Sequence, residues 1–577
     1  MIMVHSWLLL ASVATVTASV HGSVKRPHIL LIVADDLGWN DVAWHGSSQI
    51  HTPTLASLAS SGVILDQLYV EPICSPTRAS LLSGRHIAHT GIFQPLKPGT
   101  YGTLNQSCNV ATKTHCALLP RAMQSLGYRT HMVGKWHLGY WNWLQTPQQR
   151  GFDTYYGYLN GEGDYFLHTR SGGYDFWDGN DVDFSANASY STELFTRRAV
   201  SIVSEHNASD GEHPLFMYVA WQAMHIPLQA PKDCVAPYES SIAESDRRIV
   251  AGMVSCMDAG VAQIVAALRA NARMFESTTI VFLADNGGPV TLGDMRRGDI
   301  NDVYRSNYAS NMPLRGQKTT YWEGGVRSAA FVSGVGVSAA AAGARSDKLI
   351  HVTDLYFSLL AHATQGVGRD SVGGGAHATA KEELAGLLAD QPPFVLGDGI
   401  EQWRTIVLDP TRPDPSVDPR TETLHVVHVD SEAGPGVLRV GRLKLFAAND
   451  SWAGKNAVWY PTVGQSFARN NFTVRCAVPP PSGPGGNASF PTPPGVGQRG
   501  YCDPGIAPCL FDVVADPCEQ INLATERAED VARLLRRLDE YRAFARTDRS
   551  ASARKLPKRC LPGANNATWR PCYGSPK

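Results

Sequence analysis

Short apolar runs that end abruptly in polar residues are the feature of this sequence that most narrows its fold. Such nearly unbroken runs are typical of strands buried on both faces of a sheet. Helical patterns at 117–126 and 249–270 separate them, and this alternation predicts an α/β sandwich with a large, mostly parallel central sheet. Ligands bind beyond the carboxyl ends of such strands, so the polar ends should meet at one site. The four clearest runs are 28–34, 128–133, 215–221 and 279–284, which lead into Asp35 and Asp36, Lys135 and His137, His225, and Asp285 and Asn286.

The pattern changes beyond about residue 420, and at 577 residues the chain is long enough for two domains. Helical spacing over 524–545 predicts an amphipathic helix that lies on a small antiparallel sheet. The Pro- and Gly-rich stretch 478–500 is predicted to be a surface loop. We therefore expect a larger α/β domain at 23–420 and a smaller C-terminal α+β domain at 421–577. The strand-like pieces of the smaller domain are 424–429, 437–440 and 443–447.

The first residues indicate export into the secretory pathway, with the lysosome or the extracellular space as destination. Residues 7–20 are uncharged and mostly apolar, and small residues follow, so 1–22 is predicted to be a cleaved signal peptide. The run is shorter than the ~20 residues of a membrane span, although a retained anchor stays an alternative, and no later span is expected. Sequons for N-glycosylation agree with export; they are Asn105, Asn187, Asn207, Asn449, Asn471, Asn487 and Asn566.

The number of cysteines and the net charge give further information on the class of protein. The chain has 11 cysteines, so ten can pair in an oxidising compartment and one needs another explanation. Six of them lie from Cys476 onward, which predicts disulfides in the smaller domain. The formal net charge is −1, from 51 basic and 52 acidic side chains. This balance gives no support to nucleic-acid binding, which is accompanied by a basic excess.

Two strand ends together carry an oxygen-rich set of candidate metal ligands, namely Asp35, Asp36, Asp285 and Asn286. Hard cations such as calcium or magnesium prefer oxygen ligands, and calcium tolerates loose geometry. The sequence has no H-E-x-x-H and no paired C-x-x-C motif, so zinc is not expected. Either pair alone is more typical of a residue capping a turn. The two pairs together favour a metal site.

The segment Cys74-Ser-Pro-Thr-Arg78, followed by an apolar pair and Gly84, resembles the C-x-P-x-R signature of the sulfatase family. In that family a formylglycine-generating enzyme oxidises the cysteine to formylglycine, whose hydrate attacks sulfur. Ser83 stands where the family more often has threonine, a departure that does not touch the chemistry. The alternative for Cys74 is a buried thiol or a disulfide partner, but the odd cysteine count and the motif favour the modified residue.

Three further segments resemble elements of the same family. The segment Gly127–Gly139 matches G-Y-x-T-x-x-x-G-K-x-H, and Lys135 and His137 alternate across Trp136, so both should face the same side of an extended segment. The segment around His225 resembles the element with the family's second active-site histidine. The segment around Lys318 resembles the one with its second sulfate-binding lysine.

The resemblance runs from about residue 26 to about residue 450 and is closest to the arylsulfatase B branch, the N-acetylgalactosamine-4-sulfatases. It implies an alkaline-phosphatase-like sandwich and one Ca²⁺ ion. In the implied mechanism His225 gives a proton to the leaving alcohol, and His137 then helps deprotonate the remaining hydroxyl, which expels sulfate. The other implied roles are sulfate binding by Lys135 and Lys318, orientation of the modified residue by Arg78, and metal ligation by Asp35, Asp36, Asp285, Asn286 and the modified Cys74.

The expected substrates are sulfated saccharides or aryl sulfates, with 4-sulfated N-acetylgalactosamine of chondroitin or dermatan as the first hypothesis. The aromatic stretch 140–143 could stack on a sugar ring or could simply pack. One alternative is a phosphodiesterase or phosphonate ester hydrolase of the same superfold, since some of these also use formylglycine. Another is an inactive homologue that binds glycans, although no nucleophile or metal ligand is missing from the sequence.

Overall fold

A computed structural model of the chain describes residues 26–104, 107–109, 114–115, 117–206, 213–271, 274–290, 308–364, 398–407, 420–427, 436–447, 476, 502–543, 545, 554–564 and 567–573. The predicted signal peptide and the Pro- and Gly-rich loop lie outside these residues. Of the predicted glycosylation sites, Asn187 is described and is exposed, as glycosylation requires. The others lie outside the described residues, namely Asn105, Asn207, Asn449, Asn471, Asn487 and Asn566.

The strands form one large sheet and several small ones. The order of the large sheet is β11-β10-β7-β6-β12-β1-β13-β14-β2-β15. The strands are β1 (His28–Ala34), β2 (Val63–Leu65), β3 (Leu68–Tyr69), β4 (Ser107–Asn109), β5 (Thr114–His115), β6 (Arg129–Lys135), β7 (Thr154–Tyr158), β8 (Thr169–Arg170), β9 (Gly173–Tyr174), β10 (Trp177–Asp178), β11 (Asp181–Val182), β12 (Leu215–Ala220), β13 (Thr278–Ala284), β14 (Ala330–Gly334), β15 (Ala344–Ser346), β16 (Ile350–His351), β17 (Glu422–Val427), β18 (Gly436–Val440), β19 (Leu443–Phe446) and β20 (Cys509–Asp512).

The four predicted strands occupy the centre of this sheet. β6, β12, β1 and β13 are neighbours and all run parallel, with Ile32 of β1 opposite Val219 of β12 and Phe282 of β13. β7 continues the parallel set on one side, whereas β14 and β10 pair antiparallel nearer the edges. The sequence prediction of an α/β fold with a large, mostly parallel sheet is confirmed.

Helices cover both faces of the sheet, which explains why the central strands are apolar throughout. Ile29, Leu31 and Val33 of β1 point into a core shared with α2, α4 and α9, whereas Leu30 and Ile32 point to α1, α5 and α7. The helices are α1 (Pro53–Ser60), α2 (Cys74–Ser83), α3 (Ile87–Thr90), α4 (Leu119–Ser125), α5 (Ser191–Glu205), α6 (Lys232–Val235), α7 (Ser245–Ala270), α8 (Glu323–Val326), α9 (Val352–Thr364), α10 (Trp403–Val407) and α11 (Ala528–Arg542).

Within the described residues, helix α7 is long enough and apolar enough to cross a membrane. Its apolar side chains, among them Val250, Met253 and Val261, are fully buried inside the protein. They pack against the sheet face that also receives α1 and α5. Burial against the core therefore accounts for the composition of this helix.

A second, antiparallel sheet has the order β17-β18-β19-β20, and α11 packs on it through Leu534 and Leu538. The prediction of a small antiparallel sheet with an amphipathic helix is confirmed, and β20 adds a strand that the apolar pattern did not mark. Buried ion pairs join this sheet to the larger one, such as Lys444 to Glu323. The domain boundary near residue 420 stays a prediction.

The described disulfides are Cys234–Cys256, Cys476–Cys518, Cys502–Cys509 and Cys560–Cys572. Three of the four lie from Cys476 onward, as the cysteine distribution predicted. Among the cysteines whose side chains are described, Cys74 is free and buried. Among these described cysteines, the unpaired one is the cysteine of the C-x-P-x-R motif.

Candidate active site

The carboxyl ends of the central parallel strands meet at one edge of the large sheet. The backbone N–H of Asp36, after β1, donates to Asp285 Oδ1 at 3.2 Å, after β13. Asn286 Nδ2 donates to Asp36 Oδ1 at 2.8 Å, so the two predicted ligand pairs form one cluster. Lys135 ends β6 and contacts Asp35, and His225 follows β12 and lies 3.8 Å from Asp36. The structure therefore brings these predicted site residues together.

Cys74 is the first residue of α2 and is almost fully buried. The Thr77 hydroxyl accepts from the Glu71 N–H and donates to the Glu71 carbonyl, which fixes the turn into the helix. Arg78 follows four residues later, on the same face of α2 as Cys74. Burial raises the pKa of the Cys74 thiol, and Lys135 and Lys318 only partly oppose this. The unmodified thiol is therefore neutral and a poor nucleophile.

Arg78 is fully buried and holds the strand ends in place. Its Nε and Nη2 donate to Asp285 Oδ2 at 3.0 and 2.8 Å, and its Nη1 donates to the Lys135 carbonyl at 3.3 Å. The same Nη2 lies 3.8 Å from Asp35 Oδ2. One guanidinium thus connects α2 with β6 and β13 through charge-assisted hydrogen bonds.

Two lysines contact the two aspartates that follow β1. Lys135 Nζ donates to Asp35 Oδ2 at 2.5 Å, and Lys318 Nζ donates to Asp36 Oδ2 at 2.7 Å. Burial opposes ionisation of Asp36, but Lys318 and His225 outweigh it and hold the pKa of this carboxyl well below its usual range. Burial raises the pKa of Asp35 to about 8 despite Lys135.

The cluster fits a divalent cation on three observations. Within the described part of the chain, Asp35 Oδ1 and Asn286 Oδ1 are buried acceptors without a hydrogen-bond partner. Donor atoms of Asp35, Asp36 and His225 lie within 4.8 Å of one another. A cation beside Asp35 would favour the ionised form that burial otherwise disfavours. The oxygen-rich donor set suits calcium or magnesium, and His225 is a neighbour that the predicted ligand set did not include.

His225 is held between Asp36 and a loop that the sequence did not mark. Its Nδ1 lies 2.8 Å from the Ile226 carbonyl and 3.7 Å from Glu162 Oε2, and its Nε2 lies 3.8 Å from Asp36 Oδ2. Glu162 itself pairs with Arg170. Burial together with Lys318 lowers the pKa of His225 well below the usual value. Glu162 follows β7, so the pattern of a strand with a polar end could have found it.

The His137 carbonyl accepts from the hydroxyl of Ser75, next to Cys74, at 3.0 Å, but the backbone of His137 differs from the expected one. Its φ is +53°, which is left-handed rather than extended, so the alternation across Trp136 does not continue to it. The ring is fixed by its Nε2, 3.1 Å from the Leu96 carbonyl, and by Gly161, where an added Cβ would lie 2.4 Å from the ring. Its Nδ1 is buried and has no partner. Burial and Lys135 lower the pKa of His137 well below the usual value.

Three cations therefore face three carboxylates beside two imidazoles and a buried cysteine, an arrangement suited to the hydrolysis of an anionic ester. A family model described as Sulfatase matches residues 27–366. Arylsulfatase J of Mus musculus is 32% identical over 570 residues, which cover 95% of this chain and 81% of that protein. The N-acetylgalactosamine-6-sulfatase of Sus scrofa is 29% identical, over 62% of this chain and 66% of that protein.

Solved structures share the fold at lower identity. Ps i-CgsB in complex with k-i-k-neocarrahexaose has a TM-score of 0.63 at 23% identity, over 92% of this chain and 96% of that one. BT4656 in complex with its substrate D-glucosamine-2-N,6-O-disulfate has a TM-score of 0.53 at 14% identity, over 92% of this chain and 100% of that one.

The family match and the arylsulfatase similarity together define a sulfuric ester hydrolase. The chain belongs to the sulfatase family, as its motifs predicted. The arylsulfatase B branch stays a prediction, because the similar proteins carry the names arylsulfatase J and N-acetylgalactosamine-6-sulfatase.

Proposed function

We propose that the protein removes sulfate from sulfated saccharides in the secretory pathway, with Cys74 oxidised to formylglycine as its nucleophile. The observation that carries the proposal is the position of Cys74 at the start of α2, where the positive charges of Lys135 and Lys318 act on its side chain. A neutral, buried thiol is unsuited to attack on sulfur. The modified residue would supply the oxygen nucleophile, and a Ca²⁺ ion bound by Asp35, Asp36, Asp285, Asn286 and the modified residue would supply positive charge beside it.

The cations of the site bind and orient the sulfate group. Lys135 contacts Asp35 and Lys318 contacts the adjacent Asp36, so a sulfate bound at this pair would interact with both ammonium groups. Positive groups fixed in this way stabilise charge that develops during transfer more than charge in the ground state. Arg78 is fully buried, and its guanidinium donates to Asp285 and to the Lys135 carbonyl, so it is not exposed to solvent. Its role is to position the first turn of α2.

The two histidines divide the proton transfers. His225 Nδ1 faces the Ile226 carbonyl, and Nε2 faces the carboxylate edge where the ester would lie. Protonated His225 gives its Nε2 proton to the departing alcohol oxygen. His137 has a buried Nδ1 without a partner, and its neutral ring can accept a proton at that atom. The Nε2–H that faces the Leu96 carbonyl leaves Nδ1 unprotonated in the neutral ring, which is the form that a general base requires.

The similar proteins support a sugar substrate. One is named for N-acetylgalactosamine 6-sulfate, and two solved structures hold saccharides. We propose a sulfated glycosaminoglycan, with 4-sulfated N-acetylgalactosamine of chondroitin or dermatan as the first choice. Sulfate release from defined saccharides that differ in ring and sulfate position would test this choice.

The decisive experiment compares ester classes. Protein produced together with formylglycine-generating enzyme should hydrolyse nitrocatechol sulfate much faster than an aryl phosphodiester, because the lysine pair and Cys74 match the sulfatase motifs. Faster cleavage of the phosphodiester would favour the phosphodiesterase alternative. Absence of turnover on both would favour an inactive glycan-binding homologue.

A further inference from the structure

A cluster of partly exposed aromatic rings lies beside the active site, where the C-terminal segment meets the loop after α3. Tyr101, Trp141 and Tyr573 pack around one another with ring centroids 5.3 to 6.4 Å apart. The Tyr573 carbonyl accepts from the Trp143 N–H at 3.0 Å, and the Tyr101 N–H donates to the Arg554 carbonyl at 3.1 Å. The disulfide Cys560–Cys572 closes the segment that supplies Tyr573.

Exposed cations surround these rings. Arg559 Nη2 lies 3.2 Å from the Tyr573 hydroxyl, and its Cζ is 5.7 Å from the ring centroid. Arg554 approaches the Tyr101 ring at 5.8 Å, and Lys97 is exposed nearby. None of these three cations pairs with a carboxylate within the described residues. The surface thus combines aromatic faces with unneutralised positive charge.

The cluster is connected directly to the catalytic edge. The Leu96 carbonyl contacts His137, and Lys97 lines the small cavity beside His137 that also includes Thr100 and Tyr140. Tyr101 is five positions after Leu96 in the chain, a distance of at most ~18 Å when extended. A polymer held by one end at the active site could therefore lie across this surface.

We infer that Lys97, Tyr101, Trp141, Arg554, Arg559 and Tyr573 form a binding platform for the part of a sulfated polysaccharide that extends beyond the cleaved ester. The inference rests on the proposed function for the identity of the ligand. Sugar rings present apolar faces that stack on aromatic side chains, and their sulfates complement unpaired cations. The bound chain would raise the local concentration of its sulfated residues at the active site.

Binding and turnover can be measured separately. The first arm uses the Cys74→Ala protein, which cannot consume its ligand, and measures its affinity for chondroitin 4-sulfate chains and for the same chains after chemical desulfation. The platform variant is Lys97→Gln/Arg554→Gln/Arg559→Gln. The control variant, Arg129→Gln/Arg404→Gln/Arg536→Gln, removes three exposed charges elsewhere. The second arm repeats both triple variants with Cys74 intact and compares kcat/KM on the polymer and on nitrocatechol sulfate.

We expect the platform variant to bind the sulfated chain about tenfold or more weakly, since each exposed pair contributes up to about 1 kcal/mol. The control variant should change less than about twofold, and sulfate-dependent binding should weaken with added salt. In the second arm the platform variant should lose activity on the polymer and keep it on nitrocatechol sulfate. Equal losses for both variants, or equal binding of desulfated chains, would overturn the platform. A wild type that binds the polymer but turns over neither substrate would overturn the proposed function alone.

A thermal unfolding midpoint tests the simpler explanation that the cluster only anchors the C-terminal segment. Tyr573→Ala removes an anchor and should lower the midpoint, whereas the platform charge variant should leave it within about 2 °C. If the charge variant also unfolds earlier, and its loss of polymer binding is restored at a lower temperature, the residues are structural and the platform is wrong.

Discussion

At the scale of single residues, Cys74 decides which chemistry the site can perform. Active protein should carry an aldehyde at this position, which mass spectrometry of the peptide and capture by a hydrazide reagent would detect. Cys74→Ala should fold and be secreted, because the side chain makes no disulfide, yet show no turnover. Ser83→Ala is the matched control, since it changes the same helix without touching the nucleophile. Full activity from protein with an entirely unmodified thiol would contradict the mechanism.

The role of His225 as a general acid can be tested by comparing substrates that have good and poor leaving groups. A sugar alkoxide leaves poorly and needs a proton, whereas nitrophenolate leaves readily. General acid catalysis contributes about 10²–10⁴-fold, so His225→Ala should lose far more activity on a sulfated sugar than on nitrophenyl sulfate. A variant that loses the same factor on both substrates would show that His225 only binds the sulfate. His168→Ala provides a control, because His168 is a buried histidine bonded to the Ala186 carbonyl away from the carboxylate cluster.

The pH dependence on sugar substrates follows from the same residue. The acid acts only when protonated, so activity is present below the pKa of His225 and is lost as the pH rises through it. Burial and Lys318 lower this pKa from the usual 6.5. We therefore expect the kcat for sulfated sugars to decline with rising pH, with the midpoint of this alkaline decline below about pH 6.5. This decline should disappear in kcat measurements on nitrophenyl sulfate, and an alkaline optimum on both substrates would contradict the assignment.

Metal binding depends on the carboxylates that follow β1 and β13. Asp35→Ala removes an acceptor whose Oδ1 has no protein partner, so bound calcium and activity should both be lost. Asp258→Ala is a matched control, because this buried carboxylate accepts from the Thr54 and Leu55 N–H groups at the start of α1. The control should lose stability but retain the metal. Zinc without calcium or magnesium in active wild-type protein would contradict the predicted ligand chemistry.

At the scale of elements, the sequence predicts what is buried and continuous. The apolar run 28–34 coincides with β1, and the other three runs match β6, β12 and β13 within two residues. These strands lie between helices on both faces, so their apolar pattern is unambiguous. The short strands β8 to β11 have two residues each and are fixed by neighbours rather than by their own composition. No periodic pattern can reveal pieces of this length.

Strand β6 contains a glycine whose replacement should disturb the whole parallel sheet. Gly134 has a φ of +106°, and an added Cβ would lie 1.9 Å from the Ala220 carbonyl of β12. Gly134→Ala should therefore destabilise the fold by about 1–3 kcal/mol from overpacking alone. Gly172→Ala is the control, because Gly172 also has a positive φ but no atom lies within 4 Å of an added Cβ. This variant should therefore have the backbone strain without the steric clash. Equal thermal midpoints for the two variants would contradict this reading of the strand contact.

At the scale of the whole molecule, the sequence did not predict which distant segments of the chain meet at the active site. The motifs named Cys74, Lys135, His137, His225 and Lys318, because each stands in a distinctive local pattern. Other neighbours of the site stand in none of these motifs, as the Leu96 carbonyl and Glu162 show. Residues 572 and 573 are bonded to the Trp141 carbonyl by their backbone N–H groups, contacts that any residue type other than proline could make.

Lys444 of β19 is a buried cation at the junction between the small antiparallel sheet and α8 of the larger domain. Its Nζ lies 2.9 Å from Glu323 and 3.0 Å from Glu519, and all three side chains are fully buried. Lys444→Met removes a cation from both carboxylates and leaves Glu323 with Arg327, whose Nη1 lies 3.6 Å from it. Breaking a buried pair in this way costs about 3–5 kcal/mol. Replacement of the exposed Lys232 by methionine is the control.

The size of this loss should depend on pH, and the sign follows from the carboxyl groups. Burial already raises the pKa of Glu519 to about 7, and removal of Lys444 takes away a group that lowers it. A folded-state pKa above the unfolded one gives stability that is present below the unfolded pKa and lost as the pH rises. Unfolding measured at pH 5 and pH 8 should therefore show a larger deficit for Lys444→Met at pH 8. Lys444→Met/Glu519→Gln should recover much of the difference, because the carboxylate that remains, Glu323, still pairs with Arg327. A deficit that is independent of pH would mean that Lys444 stabilises the junction by packing rather than by charge.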